Sequence, residues 1–128
     1  MVGNSGNADA LAEDLEAEGL AVERRPDGPA ATIGPEGIAA IARDLREFER
    51  VLGEGGADAV VVTSHSNASL AAVLVATKLG TPIAGTEGQA GDAGGTNGTL
   101  IRQLADIELA PSVSAIVGWL RDTYTERP

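Results

Sequence analysis

The chain has 128 residues, 43% hydrophobic and only 2% aromatic, with 19 acidic against 9 basic side chains and a net charge of −10. That length suits a single domain, residues 1–128, with a core that needs no staples, and the absence of cysteine excludes disulfides, thiolate metal sites and cysteine nucleophiles. The negative balance argues against nucleic acid and membrane as partners, no apolar run nears the ~20 residues that cross a bilayer, and without an apolar leader the expected location is cytoplasmic.

In chain order, Met1–Gly3 reads as the end of a first strand, followed by the turn-rich Asn4-Ser5-Gly6-Asn7. A helix is expected over about Ala8–Glu18, with Leu11 and Leu15 one turn apart on its buried stripe and Gly19 as its stop. Leu20–Glu23 reads as a second strand, and Pro and Gly spacing makes Arg25–Pro35 a loop. Ile38, Ile41, Leu45, Phe48 and Leu52 then recur at helical intervals up to Gly53–Gly56, with Arg43 and Glu47 as a supporting pair one turn apart. Ala59–Thr63 is the strongest strand signal. It is β-branched and does not alternate, as a strand buried on both faces requires, and it is expected in the middle of the sheet.

Ser66 or Asn67 caps a third helix that runs to Leu79 and stops at Gly80. No charge falls between Leu70 and Thr77, so the outer face of Ala72, Val75, Ala76 and Leu79 is as apolar as the inner one. Burial beneath another chain, as in a homodimer, is the expectation. Pro82–Ala84 reads as a fourth strand, Gly85–Gly98 as a glycine-rich loop, and Leu100, Ile101 and Leu104 mark a short helix. Asp106–Ala110 is a fifth strand, and Pro111-Ser112 leads into a last helix carrying Val113, Ile116, Val117 and Leu120. Strands alternating with helices predict an α/β fold, a three-layer α/β/α sandwich on a parallel five-stranded Rossmann-like sheet, with its ligand edge at the carboxyl ends of the strands. A strand order of 3-2-1-4-5 would set the first turn beside the loop that follows the fourth strand.

Three polar groups fall on that edge. Asn4 and Ser5 occupy the first turn, at a helix start whose free N–H groups favour an anion. Ser64, His65, Ser66 and Asn67 follow the strongest strand directly. His65 is the sole histidine, so no two-histidine metal site exists in one chain, and acid–base work by it needs Glu87 or Asp92 as a companion. Glu87, with Gln89 behind it, is a lone acid in an otherwise uncharged stretch. Each group has a plainer alternative: a strand-to-helix turn, a helix cap, a solvated loop carboxylate. Trp119 and Tyr124 fall in the last helix, away from the ligand edge, which argues against a flavin; neither a cofactor nor a metal is called for.

Ala57–Ala72 with its V-V-V-T-S-H-S-N core, followed by Gly80-Thr81-Pro82-Ile83-Ala84-Gly85-Thr86-Glu87-Gly88, resembles the amino-terminal domain of UDP-N-acetylglucosamine 2-epimerases. Asp106–Ser112 is similar to the later D-x-x-F-A-P-T stretch of that family, and the likeness spans roughly Ile38–Leu120. Peptidoglycan N-acetylglucosaminyltransferases and other two-domain GT-B proteins share the pattern. The resemblance implies a nucleotide-sugar or glycan ligand, with Glu87 matching the acid of the H-V-E-A-G motif as candidate acid/base, His65 as its helper and Asn97 matching a family asparagine. Asn4, Ser5, Ser64, Ser66, Asn67 and Gln89 from the sheet edge, with Asn97 from the resemblance, are the candidate substrate contacts. Two family features differ: Ser64-His65 stands where the epimerases have glycine-aspartate, and Gly94-Gly95 where they have an acidic pair. The family's carboxy-terminal domain, which grips most of the UDP, has no counterpart in these residues. The resemblance therefore implies a half-domain that depends on a homodimer or a separate carboxy-terminal-type domain, with a non-catalytic interaction or regulatory module as the alternative.

Overall fold

The computed structural model describes residues 6–23, 34–86 and 95–125. In chain order these form α1 (Gly6–Ala17), α2 (Pro35–Gly55), β1 (Val60–Val62), α3 (Asn67–Leu79), β2 (Ile83–Thr86), α4 (Gly95–Leu104), β3 (Ile107–Leu109) and α5 (Val113–Thr125). The three strands make one parallel sheet in the order β1-β2-β3, with Val61 opposite Ala84 and Gly85 opposite Glu108.

Strand pleat sends successive side chains to opposite faces, and the valine run of β1 shows both. Val60 and Val62 join Ile83 in a core with Phe48 of α2, the whole inner length of α3 and Ile101 of α4. Val61 and Ala84 turn the other way, onto Leu11 and Leu15 of α1 and Ile116 of α5. The sheet thus lies between two helical layers, and the sandwich expected from the sequence stands, with three described strands.

Helix ends follow local chemistry. Pro35 opens α2 at a position where its missing N–H costs nothing. Gly19, Gly56 and Gly80 take positive φ at the ends of α1, α2 and α3. At Gly80 (φ 73°) the turn lets the N–H of Thr81 reach back to Ala76 O at 2.9 Å, closing α3 in the left-handed cap that glycine tolerates best. Asp106 fixes the start of β3: its carboxylate accepts from Ile83 N–H at 2.7 Å while its own N–H donates to Ile83 O at 2.9 Å.

Several sequence expectations change. The 3-2-1-4-5 order does not hold, because Val60–Val62 pairs directly with Ile83–Gly85, and among the described strands β2, not β1, is the middle one. Leu20–Glu23 is not a strand of this sheet; Leu20 N–H donates back to Leu15 O at 3.3 Å, and Leu20 and Val22 pack on the α1/α5 side. Met1–Gly3 lies outside the described residues. Ile38, placed on the buried stripe of α2, is 71% exposed because it sits in the first turn, ahead of the stretch that meets α3. Gly95–Gly98, expected as loop, is the first turn of α4. The largest correction concerns α3: Ala72 and Ala76 are fully buried and Val75 nearly so, within this one chain, because α2 and α4 pack against the helix; of the supposed outer face only Leu79 is exposed. The ground for a dimer through α3 is therefore gone.

Among the described residues no helix is long and apolar enough to cross a membrane.

Candidate functional site

The carboxyl ends of β1 and β2 gather the polar residues. β1 stops at Val62, and the next four residues climb over the sheet edge into α3. Ser66 is the cap of α3: its hydroxyl accepts from Ser69 N–H at 3.0 Å, and its carbonyl accepts from Leu70 N–H at 3.0 Å. Ser64 Oγ lies 2.9 Å from Ser69 Oγ, Ser66 Oγ 3.2 Å from Ser69 Oγ, and Ser64 Oγ 3.4 Å from Ser66 Oγ, so three hydroxyls share one small cluster. Ser66 and Ser69 are buried. Sequence reasoning missed Ser69, whose hydroxyl joins the cluster only because the fold turns Ser64 and Ser66 back over the first turn of α3.

Across the same edge Asn97, in the first turn of α4, donates both hydrogens of its amide: one to His65 O at 3.0 Å, the other to Asn67 Oδ1 at 3.0 Å. These bonds bridge 32 and 30 residues of sequence and tie the start of α4 to the start of α3. Asn67 and Asn97 are both buried, so the pairing replaces water for groups that cannot remain unsatisfied. Thr86, buried at the end of β2, places Oγ1 3.5 Å from Val62 O. His65 is half-buried, with its Nδ1 shielded from solvent.

Five of the residues singled out by sequence are thus brought together: Ser64, His65, Ser66, Asn67 and Asn97. The other four, Asn4, Ser5, Glu87 and Gln89, lie outside the described residues, as does Asp92. No acid stands in the first turn of α3, so the positive end of its dipole faces this edge uncompensated by its own helix. Chemically the assembled part offers hydroxyls, amides and one imidazole, a set that suits neutral polar groups and anionic oxygens. Among the described residues no three His, Asp or Glu side chains converge to hold a metal ion. Two cavities lined by described residues, of about 460 and 560 Å³, open at the opposite, amino-terminal end of the strands.

No protein-family model matches the chain, and no curated protein matches it. Among solved structures, UDP-GlcNAc 2-epimerase from Methanocaldococcus jannaschii matches with a TM-score of 0.63 and 22% identity, over 95% of this chain and 41% of that one. The likeness shows the fold. This chain is an α/β domain of Rossmann-like architecture built like part of that epimerase, and it spans less than half of the epimerase's length.

Proposed function

We propose that the chain is a nucleotide-sugar-binding half-domain of the UDP-N-acetylglucosamine 2-epimerase type, working beside a separate carboxy-terminal-type domain. The observation that carries this reading is the polar cluster of Ser64, His65, Ser66, Asn67 and Asn97 at the carboxyl edge of a parallel sheet, where α/β domains bind their ligands. The fold shared with an epimerase supports it. In this reading the sugar and its phosphates lie over the start of α3, and the second domain closes over the same edge. Proton removal at the sugar C2, with elimination and re-addition of UDP, is the chemistry that such a pair would perform, Glu87 serving as acid/base and His65 as its helper.

Titration of the purified chain with UDP-N-acetylglucosamine in molar KCl tests it. Saturable shifts of the Ser64–Asn67 amide resonances, weakened at least tenfold by Glu87→Gln, are expected. An unchanged spectrum at millimolar ligand would overturn the reading.

One observation favours a second reading, a non-catalytic interaction module. Both amide hydrogens of Asn97 and the Ser66 hydroxyl are already engaged within the chain, as they are in a loop held for its shape alone. A stable chain without ligand response would decide for it.

A further inference from the structure

The cavity of about 560 Å³ lies against the entry to β2, at the end of the sheet away from the polar edge. α3 ends on it through Thr77 and Gly80, α4 through its last residue, Leu104, and α5 brings Trp119 and Thr123 from the other helical layer. Its chemistry favours positive charge. Asp106 is the one charged residue among those lining it, and the bond from Ile83 N–H at 2.7 Å holds the carboxylate in place. α3 and α4 both present their carbonyl ends there, the negative ends of their dipoles. Lys78 and Arg102, the basic residues of those last turns, are not among the lining residues. Thr77, Thr81 and Thr123 add hydroxyl oxygens; the Thr77 hydroxyl donates its hydrogen to Val73 O at 2.9 Å, which leaves its acceptor side for a ligand. Trp119 adds an aromatic ring, whose face attracts a cation.

We propose that this cavity binds an alkylammonium group, its three N–H donors on the Asp106 carboxylate and the threonine oxygens and its carbon chain against Ala76, Pro82 and Leu104. One carboxylate in a partly apolar, aromatic lining suits an organic cation. A divalent metal ion asks for more oxygen ligands than converge here. Asp106 is exposed, so solvent weakens its attraction and a Kd of about 1–10 mM is expected. This inference is independent of the nucleotide-sugar reading, which concerns the opposite end of the strands.

Trp119 is the only tryptophan of the chain, so its fluorescence reads the cavity directly. Titration of the whole chain with n-butylammonium chloride, at an ionic strength held near about 0.1 M with KCl, tests the proposal. A saturable change in Trp119 emission is expected, with shifts of the Trp119 indole and the Thr81 and Thr123 amide resonances while those of Ser64–Asn67 stay still. Asp106→Asn, whose side-chain oxygen still accepts from Ile83 N–H, should weaken binding at least fivefold. Should that variant not fold, the wild-type resonance shifts decide. Nα-acetyl-lysine methylamide in the same titration separates two sources of the group: tighter binding than butylammonium assigns the cavity to a lysine side chain of a partner protein, and equal or weaker binding assigns it to a free amine. No saturation by about 50 mM of either compound, the same response to neutral butanol or to KCl alone, or shifts confined to Ser64–Asn67 would overturn the proposal.

Discussion

At the scale of single residues, the carboxyl edge is held by bonds that hydrophobic periodicity cannot reveal. Asn97 satisfies a carbonyl and a side-chain oxygen at once, so removing its amide takes a donor from both acceptors together. Asn97→Ala is expected to cost about 1–3 kcal/mol, read as a lower urea midpoint with unchanged m-value. Asn97→Asp should cost more, because a carboxylate then faces two oxygens. The same logic shows what was legible here. Ser66 announces itself as a cap by its place before an apolar helical run, and the structure agrees. The partnership of Asn67 with Asn97 was not legible as geometry, since only the fold brings residues 30 apart into hydrogen-bond range.

At the scale of elements, caps were readable and covers were not. Gly80 sits at φ 73° with open space where a Cβ would stand, so Gly80→Ala meets a backbone penalty and no clash. A loss of about 1–2 kcal/mol is expected by chemical denaturation, and Gly80→Asn should recover part of it. α3 shows the limit. A helix without charge along its middle must be covered on all sides, but its sequence does not say by what. The covering here is α2 and α4 of the same chain, which leave Ala72 and Ala76 no accessible surface. Ala76→Leu is therefore expected to overpack the α2–α3 contact and to destabilise the monomer by about 1–3 kcal/mol, measurable by thermal melting at any protein concentration. α4 is the converse case: Gly95–Gly98 has loop composition, yet the burial of Ile101 and the Asn97 bonds hold it as a helical turn. Packing outweighs propensity over one turn.

At the scale of the whole molecule, a charge of −10 on 128 residues is a self-repulsion that folding brings closer together. The close ion pair Arg50–Glu47, at 2.6 Å on exposed α2, is of the surface kind that contributes only a few tenths of a kcal/mol. Glu13, Asp14, Glu16 and Glu18 line α1 and the turn after it, all exposed. Screening of this self-repulsion should raise the melting temperature as KCl increases from tens of millimolar to molar, and a melting temperature indifferent to salt would contradict it. The five described helices and the three described parallel strands were legible in the sequence alone, because hydrophobic period, β-branching and glycine stops act within a few residues. Which strand lies between which, whether α3 is covered by its own chain or another, and which polar atoms satisfy one another were decided only in three dimensions. Those outcomes depend on contacts between segments tens of residues apart, and a local pattern states the need for such a contact without naming its partner.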